Sequence, residues 1–229
     1  MIEGVLSDVD VPAGMLLAGY FVAASERLAG SGTPCAERLV TASECLSDRL
    51  SQDGCWFATV REALAACLLF PVPAEARLCA LLVPSEHVGG FVADIRAAGT
   101  DEPVLLAHLG GRGAGATAAR EMAENGNELG WEVLGYDYGL LHSWLCNDLY
   151  DDGVLSLGVG ANEHGLLPDR DAAERVAAWA NTRGDTKPVT WFPGALIEWD
   201  TPIESRPGPA TIEPEPSTTQ PWWRRILQL

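Results

Sequence analysis

The strongest candidate for cofactor chemistry is a glycine-rich segment that runs from Gly110 to Gly115. It follows an apolar run at residues 104–109 and precedes a predicted helix. Glycines at such a turn let backbone amides approach a pyrophosphate at a helix N-terminus. Asp137 follows at about the separation expected of a ribose-binding acid. The pattern favours a nucleotide-binding enzyme as one function class, although 24 glycines in 229 residues make chance matches common.

A second candidate is the pair formed by His142 and Cys146, which share one face if this stretch is helical. The imidazole could then activate the thiol as a nucleophile, with Asn147 or Asp148 orienting the ring. His164 would complete a set of three metal ligands. Spacing alone does not meet the geometric criteria for either site. We therefore expect no cofactor and no metal, and a thiol-dependent enzyme stays an alternative.

The third candidate is a surface that combines acidic and aromatic side chains. Such a surface suits a cationic protein, because aromatic residues supply contact area and carboxylates steer the partner. Residues 101–199 carry 16 acidic and 6 basic side chains, a net charge of −10. The nine residues predicted to form this surface are Tyr136, Asp137, His142, Trp144, Asn147, Asp148, Asp151, Asp152 and Glu163.

The net charge of the whole chain narrows the choice of partner. It is −17 at pH 7, with a pI near 4.4. A surface this negative repels nucleic acids and anionic membranes and favours a basic protein partner. Acidic surfaces also confer solubility without any partner, so charge alone does not decide between binding and solubility.

The cysteines and the N-terminus point to the cytoplasm. The chain has 6 cysteines but no CxxC pair, and no basic segment follows Met1. We expect free thiols in a reducing compartment. The longest apolar stretch, residues 11–24, is too short and too glycine-rich to span a bilayer, so we expect no stable membrane association.

Local signals predict most of the helices and strands. Helices are expected at residues 15–29, at 33–53, after a capping box at 59–62, from Ser85, up to Met122, at 141–150 and after Asp169. Strands are expected at residues 78–83, 104–109 and 131–138, with one or two short strands at 190–199 split at Pro193.

The alternation of strand and helix between residues 78 and 138 predicts βαβ units. We expect a single α/β domain over residues 1–200, with a mixed or mostly parallel sheet flanked by helices. Residues 201–221 are rich in proline, threonine and glutamate and predict a disordered linker. Residues 222–229 form an aromatic and basic terminal peptide. Docking of this peptide into a neighbour would define a third class, a structural or self-assembling component.

Residues 131–147, followed by residues 157–166, resemble a group of uncharacterised actinobacterial proteins. We associate that group with the immunity proteins of polymorphic toxin systems. The likeness covers residues 130–200 and implies a small acidic binding protein rather than an enzyme. Heavy use of Ala, Gly and Arg, with Lys187 as the only lysine, also suits an actinobacterial source. Our leading hypothesis is an immunity-like module whose acidic loops at residues 147–163 occlude the active site of a basic toxin.

Overall fold

The computed structural model describes residues 14–23, 39–44, 46, 56–69, 72, 76–100, 102–110, 126–147, 149–184 and 189–199. In chain order the elements are β1 (Met15–Ala23), α1 (Val60–Leu69), β2 (Arg77–Pro84), α2 (Ser85–Ala98), α3 (Pro103–Gly110), β3 (Gly126–Asp137), β4 (Leu140–Ser143), a 3₁₀ turn (Trp144–Asn147), α4 (Leu149–Leu157), α5 (Arg170–Thr182) and β5 (Phe192–Trp199). The predicted linker and terminal peptide lie outside the described residues.

The five strands form one sheet in the order β1-β2-β5-β3-β4, curled into a half-barrel. Every neighbouring pair is antiparallel. The predicted mixed or mostly parallel sheet is therefore wrong. β2 and β3 do run in the same direction, because each is antiparallel to β5. However, β5 comes from the end of the described chain and lies between them, so no βαβ pair forms.

Residues 103–110 form α3 and not the predicted strand. Pro103 is the first residue of the helix, a position whose backbone N–H has no partner within the helix, so the N–H that proline lacks is no loss there. The Leu106 N–H donates to the Glu102 carbonyl at 3.0 Å. Buried Leu105 and Leu109 share one helix face. An uninterrupted apolar run does not distinguish a short buried helix from a strand by periodicity, which explains the error.

β1 replaces the predicted helix at residues 15–29 over its described part. Eight of its nine residues are buried. The register against β2 shifts between Leu17 and Gly19, which leaves Ala18 in a bulge. On the other edge, Tyr20 exchanges two backbone hydrogen bonds with Phe57, at 2.8 and 3.0 Å. A strand covered on both faces has a continuous apolar sequence, which periodicity alone does not distinguish from a buried helix.

Two further expectations are corrected. The described part of the predicted helix at residues 33–53, namely 39–44 and 46, is not helical. The predicted helix at residues 141–150 is divided among β4, the 3₁₀ turn and the start of α4. The expected break at Pro193 is also absent, since Pro193 pairs with Val133 inside one continuous β5.

Several local signals are confirmed. The Glu62 N–H donates to Thr59 Oγ1 at 3.2 Å and opens α1, as the capping box predicts. The Ala172 N–H donates to Asp169 Oδ1 at 2.8 Å and caps α5. β2, α2 and most of the predicted strand at residues 131–138 also form. Each of these elements starts or stops at a residue with a specific backbone preference.

The sheet is covered by helices on both faces. One face packs on α1, α4 and α5, with Trp144 and Trp191 fully buried in its core. The other face packs on α2 and α3, where Phe91 stacks on Phe192 with ring centroids 4.4 Å apart. Within the described ranges, no helix has the length and apolar character needed to cross a membrane.

Candidate functional site

A two-residue turn joins β3 to β4. Asp137 pairs with Leu140 across it, and the central residues have positive φ, 50° at Tyr138 and 83° at Gly139. Positive φ at both positions defines a type I′ turn, which suits the right-handed twist of a hairpin. Glycine is required at the second position, because a Cβ there would lie 2.6 Å from Thr100 Cγ2.

The side chains of this turn alternate sharply between core and solvent. Tyr136 is 3% exposed and belongs to the core under α2. Tyr138, two residues later, is 89% exposed, and Leu140 is 42% exposed. Contiguous exposed apolar surface marks protein contact sites, and tyrosine is enriched among the residues that contribute most to binding energy.

Tyr136 fixes the base of the hairpin. Its hydroxyl and Thr100 Oγ1 share a hydrogen bond of 2.7 Å. Burial raises the pKa of Tyr136 to about 12, and the Glu102 and Glu44 carboxylates add to the rise, while the Thr100 hydrogen bond opposes it. The phenol is therefore neutral at physiological pH and holds the turn against the end of α2.

Three carboxylates surround the exposed residues. Asp137 is half-buried at the end of β3. Glu44 accepts a hydrogen bond from the Leu141 N–H at 2.6 Å and donates its own N–H to the Leu141 carbonyl at 2.9 Å. Glu102 is two residues after Thr100, whose Cγ2 lies beside Gly139, so Glu102 is also near the turn. The residues of this surface, called the hairpin tip below, are Glu44, Glu102, Asp137, Tyr138, Gly139 and Leu140.

The structure disperses the predicted binding surface. Tyr136, His142 and Trp144 are 3%, 4% and 0% exposed, so a partner docking on the folded surface does not reach them. Only Asp137 of the predicted set lies at the hairpin tip. His142 lies in β4 and does not share a helix with Cys146, which removes the premise of the thiol site. The side chains of Cys146 and Asn147, and the whole of Asp148, lie outside the described residues.

The remaining predicted acids lie elsewhere on the surface. Asp151 and Asp152 are exposed in the first turn of α4, and Asp152 Oδ2 pairs with Arg183 Nη1 at 2.8 Å. Glu163 is 82% exposed and lies 3.7 Å from His164 Nε2. Leu155, four residues after Asp151 on α4, is 84% exposed.

The loop at residues 160–167 uses its polar groups internally. Asn162 Nδ2 donates to the Leu129 carbonyl at 2.7 Å, and Asn162 Oδ1 accepts from the N–H groups of His164 and Leu166 at 2.9 and 3.1 Å. The loop packs on Gly130, whose φ is +139°. These contacts indicate a structural role for the loop, which sequence reasoning had placed on the binding surface.

One cluster has ligand types that suit a divalent cation. Oxygen and nitrogen atoms of Glu86, His87 and Glu174 lie within 4.8 Å of one another, between the N-terminal parts of α2 and α5. The Arg170 guanidinium contacts both carboxylates, and His87 Nε2 lies 2.9 Å from Glu174 Oε2. Arg170 thus already supplies a cation to both acids. We interpret the cluster as a set of ion pairs that joins the two helices.

The glycine-rich segment loses the context that a nucleotide site needs. The dinucleotide pattern requires a strand before the glycines, whereas α3 precedes them and Gly110 is its last residue. Residues 111–125 lie outside the described ranges. Asp137 is the last residue of β3, as expected, but it lies at the hairpin tip.

No protein-family model, curated protein sequence or solved structure matches this chain. The interpretation of the site therefore depends on its own geometry. The hairpin tip combines the largest exposure of an aromatic side chain in the described residues with a group of carboxylates. The sequence signal for Tyr138 was its place just before a glycine that follows a strand, whereas Glu44 and Glu102 had none.

Proposed function

We propose that this chain is an acidic, cytoplasmic protein-binding module that contacts a cation-rich partner through the hairpin tip. The observation that carries the proposal is Tyr138, which is 89% exposed at a backbone position with φ 50°. The immunity-like version of this proposal makes the partner a basic toxin, whose cationic active site the tip covers.

The choice of tyrosine at this turn argues for binding. The first central position of a type I′ turn favours Asn, Asp or Gly, because left-handed backbone strains most side chains by about 1 kcal/mol or more. Tyr138 gains little packing in return, since most of its surface faces solvent. A strained residue that does not serve the fold is a candidate for function.

The charges around Tyr138 select the class of partner. Tyrosine contributes a rigid contact surface, and its ring attracts the guanidinium or ammonium groups of a partner. Asp137 is its neighbour in the chain, Glu44 and Glu102 lie near the turn, and the whole chain carries −17. This field speeds association with a basic protein and opposes polyanions.

An array of short peptides of graded net charge tests the proposal. The labelled full-length chain should bind peptides that carry Arg or Lys beside an aromatic residue, and raising the salt concentration should remove the signal. Tyr138→Asn should lose at least about tenfold in affinity. The matched control is Leu155→Asn, which alters an equally exposed apolar side chain on α4 and should bind as the parent does.

Binding that ignores peptide charge, or an equal loss in both variants, would refute the proposal. Either result would mean that the tip is not the contact surface.

A further inference from the structure

We infer that residues 222–225 of this same chain, Trp222-Trp223-Arg224-Arg225, occupy the hairpin tip as an internal ligand that the partner must displace. This inference rests on the proposed function, because it assigns an occupant and a means of regulation to the same surface. The partner and residues 222–225 then compete for the same surface.

The chemistry of the two segments is complementary. The hairpin tip offers an exposed tyrosine, a partly exposed leucine and the carboxylate of Asp137, and Glu44 and Glu102 add negative charge nearby. Residues 222–225 offer two indoles and two guanidinium groups, in a chain that has only 15 Lys and Arg residues. Arginine stacks on aromatic rings and pairs with carboxylates at the same time. Residues 222–225 can therefore make apolar contacts and ion pairs with the hairpin tip at the same time.

The chain is long enough to make this contact. Trp199, the last described residue, pairs with Gly126 at the beginning of β3, and the tip lies 11 residues further along that strand. At about 3.4 Å per residue the strand separates the two points by at most about 37 Å. Residues 200–221 span up to about 75 Å when extended, roughly twice the separation required.

The same-chain arrangement is favoured over a second copy. The covalent link keeps residues 222–225 within reach of their own hairpin tip at any dilution, whereas a second copy must overcome its loss of translational freedom. A protein of net charge −17 also opposes its own association. We therefore assign the occupant to the same molecule.

Site-specific photo-crosslinking in the full chain tests this assignment. A benzoylphenylalanine placed at position 138 should yield crosslinks to residues 222–225 in a product of monomer mass. The matched control places the same group at position 155, which is 84% exposed on α4 and should not capture that peptide. The inference is overturned if position 138 captures only other segments, if both positions capture residues 222–225 equally, or if the product has dimer mass.

A second measurement separates this inference from the proposed function. The variant W222S/W223S removes both indoles of the internal ligand and leaves the tip and the net charge of −17 unchanged. It should bind a cationic aromatic peptide at least about threefold more tightly than the parent chain. Unchanged affinity would overturn the internal ligand alone. No peptide binding by either chain would instead refute the proposed function.

Discussion

Two surface turns of this protein use their side chains in opposite ways. In the loop at residues 160–167, Asn162 makes three side-chain hydrogen bonds to the backbone, and the His164 carbonyl accepts one from Val40. At the hairpin tip, Tyr138 and Leu140 stand in solvent above carboxylates. The polar groups of the first turn form hydrogen bonds that stabilise the fold. The second turn exposes apolar side chains to solvent.

Exposure of the side chains separates the two turns, and composition does not report exposure. The side chain of Asn162 bonds the backbone around it, whereas Tyr138 and Leu140 are exposed to solvent. Substitutions in the loop at residues 160–167 should therefore change stability, and those at the tip should change binding.

The largest expected loss of stability is at Gly130, which lies beneath the loop at residues 160–167. A Cβ there would lie 2.8 Å from both Leu166 Cβ and the Leu167 carbonyl oxygen, at φ +139°. Gly130→Ala should lower the free energy of unfolding by about 3–4 kcal/mol, from backbone strain and overpacking together. Gly158, at φ +62° with open space around it, is the control, and Gly158→Ala should lose only about 1 kcal/mol. Equal losses in urea denaturation would contradict this account of the loop.

The next effect is at Asn162. Asn162→Ala removes three hydrogen bonds and leaves two N–H groups and one carbonyl without a partner, so we expect a loss of about 2–3 kcal/mol. Asn127, exposed on β3, offers a matched amide, and its replacement by alanine should change stability by less than about 0.5 kcal/mol. Thermal or urea unfolding would measure both. A loss at Asn162 as small as at Asn127 would remove the structural role assigned to this loop.

A smaller effect is expected at the base of the tip. Tyr136→Phe removes the hydrogen bond to Thr100 and should lower stability by about 1 kcal/mol at neutral pH. Because the pKa of Tyr136 is raised from 10.0 to about 12 on folding, the native state holds this proton more tightly than the unfolded state. The resulting stability is complete below pH 10 and is lost as the pH rises towards 12.

Urea unfolding at several alkaline pH values would measure this loss. Tyr136→Phe should lack the part of the alkaline decline that Tyr136 causes, while Tyr138→Phe, which keeps Tyr136, should retain it. Identical alkaline profiles for the parent and Tyr136→Phe would show that the phenol of Tyr136 does not lie in the environment described here.

The sequence predicted those parts of the fold that local chemistry decides. The capping box at Thr59, the cap at Asp169 and the apolar strand β2 are all present. Strand order was not predictable in this way, because β5 inserts between β2 and β3 through pairings that are 58 to 119 residues apart in the chain. β1 and α3 were misassigned for a related reason, since full burial erases the periodicity that separates helix from strand.

The candidate site was predictable only in part. Asp137 was singled out, and it lies at the tip. Tyr136 was also singled out, but it points into the core from β3, whereas Tyr138 lies beyond the strand, in the turn, where the left-handed backbone turns its side chain to solvent. Glu44 and Glu102 lie 93 and 35 residues before Asp137 in the chain, and no local sequence pattern predicts that they come near the turn.

One variant should change stability and binding in opposite directions, and it therefore decides whether the hairpin tip is the binding surface. Tyr138→Asn places a residue suited to left-handed backbone at the turn, so the free energy of unfolding should rise by up to about 1 kcal/mol. Affinity for a cationic aromatic peptide, measured by titration at low salt, should fall at least about tenfold. A variant that is more stable and binds as tightly as the parent chain would contradict the assignment of the hairpin tip as the binding surface.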